Sequence, residues 1–155
     1  MINTENRSAR TEILLLHDDP AEVQSILNVF RKARINNRIQ VLEPDADVFQ
    51  FLFRQDRFAD MPPIPAETLI LLSLQLKHLN GIDVLRRIKS DERFRSFPVI
   101  LLTSSQRDRG VMEGYKLGAN ACIVQPMDLT KFVEAVAELR LDWLLVTPGQ
   151  PHSAE

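Results

Sequence analysis

The chain has 155 residues, of which 45% are hydrophobic and 26% charged, values that are typical of a soluble globular domain with a buried core. The net charge of -2 and the lack of a long apolar run argue against nucleic acid as a general partner and against a membrane span. The single cysteine cannot form an internal disulfide, and the polar residues 1–10 lack the apolar core of a signal peptide. We therefore expect a single-domain cytoplasmic protein that binds neither nucleic acid nor membrane.

Short apolar runs alternate with amphipathic stretches along most of the chain. The runs predict strands, and apolar residues at helical spacing predict helices, between a flexible N-terminus at 1–10 and a flexible tail at 148–155. In chain order we expect a strand over 11–17, a helix over 20–34, a strand over 38–43, a helix starting at 44–45, a strand over 69–72, a helix after 80–81, a strand over 98–102, a helix over 107–117, a strand over 120–124 and a helix from 128 to about 145.

Several local signals mark the ends and the weak points of these elements. Asp19 precedes a proline at the start of the first helix and Asp128 precedes the last helix, so both are predicted N-caps. The stretch 55–66 contains three prolines and several charges, and we expect it to be a surface loop. Gly110 and Gly114 each cost the fourth helix about 1 kcal/mol relative to alanine, so we expect it to be the least rigid helix.

The order of the elements predicts the fold. Five strands that alternate with five helices indicate a parallel sheet covered on both faces. Right-handed crossovers leave few topologies, and the flavodoxin-like strand order 2-1-3-4-5 is the commonest at this size. We therefore predict a doubly wound α/β domain over residues 11–147. Ser73 is the first polar residue after the apolar run 69–72, at the carboxyl end of a strand, where such sheets bind ligands.

Four blocks of the sequence match those of one protein family. The His-Asp-Asp-Pro run at 17–20 fits an acid-acid-x-Pro motif at the end of the first strand. The blocks at 69–85, 98–105 and 117–129 fit those that carry a phosphorylated aspartate, a hydroxyl and a Lys-Pro pair. On these motifs the chain resembles a CheY-like response-regulator receiver domain over most of its length. Residues 143–148 resemble the C-terminal extension of stand-alone receivers that partner phytochromes.

The resemblance implies a phosphorylation pocket in which most of the usual groups are missing. A working receiver uses an aspartate nucleophile, two acids that hold Mg²⁺, a lysine and a hydroxyl that stabilise the phosphoryl charge, and a switch aromatic. The matching positions here are Ser73 for the nucleophile, His17 and Asp18 for the acids, Gln125 for the lysine, Thr103 for the hydroxyl and Cys122 for the aromatic. Asp18 is the one metal ligand that remains, so we expect Mg²⁺ binding to be weak or absent and no other cofactor.

Two details of the match concern neighbouring residues. A shift by one residue would make Asp18 and Asp19 the acid pair, but the spacing to Pro20 argues against it, and N-capping already accounts for Asp19. The resemblance also implies a cis peptide bond before Pro126, because the corresponding bond is usually cis in receivers.

These substitutions predict a protein that works by binding and is not an enzyme. A serine hydroxyl is a poor nucleophile unless a neighbouring base activates it, and Gln125 lacks the positive charge of a lysine. We expect an atypical receiver, or pseudo-receiver, in two-component signalling whose protein binding does not depend on phosphorylation. In its filled pocket, His17, Asp18 and Ser73 are expected to hydrogen-bond to one another.

Alternative functions use the same residues. One is a response regulator that accepts a phosphoryl group on a non-aspartate residue such as Ser73. Another is a hydrolase built on Ser73 and His17, although no Gly-x-Ser-x-Gly elbow surrounds the serine. A transition-metal site of His17 and Asp18, with or without Cys122, would lack the regular ligand spacing of a dedicated site.

The resemblance also implies partners. We expect a sensor histidine kinase, such as a phytochrome, and a second copy of the chain, bound through the fourth helix, fifth strand and fifth helix. The last helix is more apolar than one side of a sheet requires, and aromatic residues concentrate at interfaces. The predicted dimer or partner face comprises Leu129, Phe132, Val136, Leu139 and Trp143.

Overall fold

Strands and helices alternate along the chain, as the apolar pattern predicts. The computed structural model describes residues 11–35, 37–43, 48–62, 64, 67–105 and 107–138. The strands are β1 (Thr11–Leu16), β2 (Arg38–Leu42), β3 (Glu67–Ser73), β4 (Val99–Thr103) and β5 (Ala121–Val124). The α-helices are α1 (Pro20–Lys32), α2 (Val48–Leu52), α3 (Gly81–Lys89), α4 (Arg109–Leu117) and α5 (Leu129–Glu138), and a 3-10 helix covers Asp56–Phe58.

The five strands form one parallel sheet in the order β2-β1-β3-β4-β5. β3 lies at the centre, where Leu71 pairs with Leu15 of β1 and with Ile100 of β4. The predicted flavodoxin-like order and the doubly wound α/β class are therefore confirmed. Because all strands run in the same direction, their carboxyl ends meet at one edge of the sheet.

Two hydrophobic clusters cover the two faces of the sheet. Successive side chains of a strand point to opposite faces, so Leu72 belongs to the cluster packed against α2 and α3, and Leu71 to the cluster packed against α1 and α5. Phe30 of α1 meets Phe132 of α5 edge to face, with ring centroids 4.9 Å apart. Burial on both faces explains why β3 carries an unbroken apolar run.

Four of the α-helices begin behind a polar side chain that accepts hydrogen bonds from the first turn. The Asp19 carboxylate accepts from the first turn of α1 at 3.0 Å, and the Asp128 carboxylate accepts from that of α5 at 2.8 Å. Both predicted N-caps are therefore confirmed. Asn80 and Asp108 cap α3 and α4 in the same way.

Gly114 has a packing role that helix propensity does not reveal. A Cβ atom at Gly114 would overlap the Cδ1 atom of Leu101, which is fully buried in β4. The glycine therefore lets α4 approach the sheet closely. The expectation that α4 is the least rigid helix stays a prediction.

The stretch 55–66 is not only a surface loop, which corrects the prediction. Asp56–Phe58 form the 3-10 helix. Phe58, Met61 and Ile64 are partly buried against the hydrophobic cluster that lies between the sheet and helices α2 and α3. Prolines indicate where regular structure ends, but they do not decide whether the neighbouring apolar side chains are buried.

Element ends differ from the predicted ones by a few residues. α1 ends at Lys32 and not at Arg34, α4 begins at Arg109 and not at Arg107, and the described part of α5 ends at Glu138. The predicted helix start at 44–45, the helix end near 145 and the flexible segments 1–10 and 148–155 lie outside the described residues. Within the described ranges, none of the helices combines the length and the apolar character that crossing a membrane requires.

Candidate functional site

Four of the predicted pocket residues lie at the carboxyl edge of the sheet. Ser73 and Thr103 are the last residues of β3 and β4, while His17 and Gln125 directly follow β1 and β5. The backbone N–H of Gln125 donates to the Thr103 carbonyl at 2.7 Å, which continues the pairing of the two strands. Because these strands are neighbours, their ends bring the four residues to one site.

His17 is a buried imidazole with neighbours at both ring nitrogens. Only 3% of the residue is exposed. Its Nε2 lies 3.1 Å from Nε2 of Gln125, and its Nδ1 accepts a hydrogen bond from the Asp19 backbone N–H at 3.3 Å. Burial lowers the pKa of His17, against the opposing effect of three nearby carboxylates. The lowered pKa favours the neutral ring at pH 7.

Gln125 joins the end of β5 to α1. Its Nε2 donates to Oε1 of Glu22 at 3.1 Å, in addition to its contact with His17. A neutral amide therefore occupies the position that the resemblance assigns to a lysine, and it brings no positive charge to the pocket. The peptide bond between Gln125 and Pro126 is cis, as the resemblance implies.

Asp18 anchors the loop between β3 and α3. Its Oδ2 accepts a hydrogen bond from the backbone N–H of Lys77 at 2.7 Å. The carboxylate that matches a receiver's second acid is thus engaged with the chain itself, 59 residues further along.

Ser73 is almost fully enclosed, with 1% of the residue exposed. Its Oγ donates to the backbone carbonyl of Gln75 at 3.3 Å. In the described part of the chain, no hydrogen bond joins Ser73 to His17 or Asp18, so the predicted bonding among these three residues is wrong. Backbone groups of the loops bond to each of the three side chains separately: the Gln75 carbonyl to Ser73, the Asp19 N–H to His17 and the Lys77 N–H to Asp18. A nucleophile paired with a base, as a hydrolase needs, is not formed there.

Gln75 is a pocket residue that the sequence analysis missed. Its Oε1 accepts from the Ser104 backbone N–H at 3.1 Å, and its Nε2 donates to Thr103 Oγ1 at 3.4 Å and to the Asp108 carboxylate. The Thr103 hydroxyl is fully buried and also donates to the Ser105 carbonyl at 3.1 Å. A signal was present in the sequence, because Gln75 is a polar side chain between two leucines, two residues after Ser73.

Cys122 lies on β5 and lines a separate surface groove. This groove, with a volume of about 920 Å³, runs between α4, β5 and α5, and Tyr115 and Lys131 line it from the two helices. Burial raises the pKa of the Cys122 thiol to about 11, so the thiol is protonated at neutral pH. Cys122, which the resemblance assigns to the switch aromatic, therefore lines a different surface feature from the one at which His17 and Ser73 lie.

The side chains at the strand ends are a poor ligand set for Mg²⁺, because this ion takes oxygen ligands in octahedral geometry. Asp18 is the one carboxylate at the positions that the resemblance assigns to the metal, and its Oδ2 accepts from the Lys77 backbone N–H. His17 offers nitrogen, and the Ser73 hydroxyl donates to a carbonyl. Among the residues that the structure describes, no group of three or more His, Cys, Asp or Glu side chains could hold a metal ion, so the alternative that includes Cys122 is not supported.

The predicted dimer or partner face is only partly at the surface. Phe132 and Val136 are 0% and 2% exposed and pack in the cluster beneath α5, which corrects the prediction for these two residues. They point inward because α1 and the sheet lie on that side of α5, as the contact of Phe132 with Phe30 shows. Leu129 is exposed, whereas Leu139 and Trp143 lie outside the described residues.

The sequence and the fold are similar to those of known signalling proteins. A family model for the response regulator receiver domain matches residues 13–137. The probable methanogenesis regulatory protein FilR2 of Methanothrix harundinacea is 30% identical over 134 residues, which cover 84% of each chain. The structure of the bacteriophytochrome response regulator RtBRR superposes with a TM-score of 0.77 at 34% identity, over 92% of this chain and 86% of its own. The phosphorylated cyanobacterial phytochrome response regulator RcpA superposes with a TM-score of 0.70 at 25% identity, over 88% of this chain and 95% of its own.

Proposed function

This chain belongs to the response regulator receiver domain family, and we propose that within it the chain is an atypical receiver whose protein binding does not depend on phosphorylation. One observation carries the proposal. Ser73 stands at the position of the phosphorylated aspartate, and its hydroxyl is buried and donates to the Gln75 carbonyl. The acceptor position thus offers neither a carboxylate nor a free hydroxyl.

The surrounding groups support the same conclusion. A serine needs a base to become a nucleophile, and His17 is engaged with Gln125 and Asp19 instead. Phosphoryl transfer needs positive charge around the transferring group, and the neutral amide of Gln125 does not supply it. We expect Mg²⁺ to bind weakly or not at all, because Asp18 is the remaining acid at the metal positions.

The decisive experiment is the intact mass of the purified chain after incubation with acetyl phosphate and Mg²⁺. We expect an unchanged mass, and RcpA, whose structure is that of a phosphorylated response regulator, is treated in parallel to show that the reagent is active. A gain of one phosphoryl group that Ser73→Ala abolishes would overturn the proposal and make the chain a phospho-accepting regulator with a serine acceptor.

The proposed partner is a sensor histidine kinase such as a phytochrome, and the proposed place of action is the cytoplasm. The similarity to the bacteriophytochrome response regulator RtBRR supports this partner. Binding to a bacteriophytochrome kinase, measured by surface plasmon resonance, should be equally tight in EDTA and in Mg²⁺ with acetyl phosphate. Binding that appears only in the second buffer would contradict the proposal.

A second copy of the chain is the other proposed partner, bound at the α4-β5-α5 face. Met112 of α4 is 69% exposed, and Leu129 of α5 is 39% exposed, so this side of the molecule presents apolar surface. Sedimentation velocity at rising concentration should show a dimer, and Met112→Glu should shift it to monomer. Val41→Glu is the matched control, because Val41 is also exposed but lies on β2, at the opposite edge of the sheet. A monomer at all concentrations would exclude the dimer.

A further inference from the structure

One side chain ties the start of α4 to the centre of the sheet. Gln75 lies two residues after β3, and its amide contacts three groups between the last residue of β4 and the N-cap of α4. These groups are the Ser104 backbone N–H at 3.1 Å, the Thr103 hydroxyl at 3.4 Å and the Asp108 carboxylate. Donor and acceptor atoms of the amide are both used, so its orientation is defined by the loop.

Asp108 bonds both to Gln75 and to the first turn of α4. Its Oδ1 accepts from the Gly110 backbone N–H at 2.7 Å and so caps α4, while its Oδ2 accepts from Gln75. The Val111 backbone N–H donates to the Asp108 carbonyl at 3.0 Å. Asp108 therefore joins Gln75 to the backbone N–H groups of Gly110 and Val111 in the first turn of α4.

The helix on the other side of this contact contains two glycines. Gly110 and Gly114 both lower the helix propensity of α4 relative to alanine. Asp108, the N-cap, accepts its hydrogen bond from Gln75 on a charged carboxylate, and such charge-assisted bonds are stronger than neutral ones. The contact from Gln75 therefore supports a first turn that helix propensity alone favours only weakly.

Gln75 is also connected to the acceptor position. Its backbone carbonyl accepts from Ser73 Oγ at 3.3 Å, while its side chain accepts from Ser104 and donates to Asp108. The connection from the end of β3 to α4 is thus complete without a metal or a phosphoryl group.

We propose that Gln75 is a built-in latch, a positioning residue that holds the start of α4 against the sheet in one fixed arrangement. Because α4 lines the groove beside β5 through Tyr115, the latch also keeps one wall of that groove in place. The proposal concerns the position of α4 and holds whether or not the chain accepts a phosphoryl group.

Hydrogen exchange of the full chain tests the latch at the backbone amides of Gly110 and Val111. Gln75→Glu keeps the length of the side chain but sets a carboxylate against that of Asp108, and we expect exchange at these amides to become about tenfold faster. In the Asp108→Asn background the amide can donate to the new carboxylate, so Gln75→Glu should then change exchange by less than about threefold. This rescue separates the latch from a general loss of packing.

Gln24→Glu is the matched control, because Gln24 is an exposed glutamine on α1. Hydrogen exchange in α4 of this variant should equal that of the wild type. Unchanged exchange in Gln75→Glu, or an equally large effect of Gln75→Glu in both backgrounds, would overturn the latch. The mass experiment above is not affected by either result, so the two proposals can fail separately.

Discussion

The buried imidazole of His17 links the stability of the fold to pH. Burial holds the pKa of this ring below its ordinary value of 6.5, so the unfolded chain binds a proton more readily than the folded chain does. The contribution of neutral His17 to the free energy of unfolding is therefore fully present above pH 6.5. It is lost as the pH falls through 6.5 toward the lower pKa that the ring has in the folded state. One such group can change the free energy of unfolding by at most about 1.4 kcal/mol per pH unit.

We expect His17→Gln to reduce the loss of stability on acidification. The measurement is urea unfolding at about pH 7.5 and pH 5.5, where the wild type should lose more free energy of unfolding than the variant. His78→Gln is the control and should behave like the wild type, because His78 is exposed in the loop before α3. An equal loss in the wild type and in His17→Gln would show that the ring does not carry the dependence.

At the scale of elements, the start of α3 packs against the end of β3 with no room for a side chain. A Cβ atom at Gly81 would lie 2.6 Å from the Ser73 carbonyl oxygen and 2.8 Å from Cα of Leu74. Both atoms belong to the backbone, so they cannot move away without shifting the strand end that carries Ser73. The glycine is thus required by the contact between the two elements.

Gly81→Ala should lower the free energy of unfolding by about 1–3 kcal/mol, the usual cost of overpacking, although alanine is the better helix former. Urea unfolding measures this difference. Asp83→Ala, on the exposed side of the same helix, should change stability by no more than about 0.5 kcal/mol, because its ion pair with Arg86 is at the surface. A neutral or stabilising Gly81→Ala would mean that α3 can move away from β3 at little cost.

The molecule as a whole should be indifferent to Mg²⁺. A ligand at 100 times its dissociation constant stabilises the folded state by about 2.7 kcal/mol, which raises Tm by several degrees in a domain of this size. We expect no rise in Tm in Mg²⁺ beyond that in NaCl of equal ionic strength, because Asp18 is the remaining acid at the metal positions. A rise that Asp18→Asn removes would reveal a metal site and count against the degenerate pocket.

The sequence by itself determined the elements, their order and the place of the site. Apolar run lengths and helical spacing depend on near neighbours in the chain, so β3, the Asp19 and Asp128 caps and the strand order could be predicted. The position of Ser73 at a carboxyl strand end followed from the parallel topology alone. The resemblance to receivers, read from residue identity, predicted the loss of an acid and a lysine without any coordinates.

Only the tertiary structure decided which groups the polar side chains bond to and which apolar ones are covered. Gln75 reaches Asp108 33 residues away, and Asp18 reaches Lys77 across 59 residues, so these pairs depend on how loops from different strands meet. The sequence shows that Phe132 is apolar but not whether its side chain points into the core or to the surface. The contact with Phe30 of α1 shows that it points into the core. A helix pattern shows that a stripe is apolar, and the neighbouring elements determine which part of that stripe is buried.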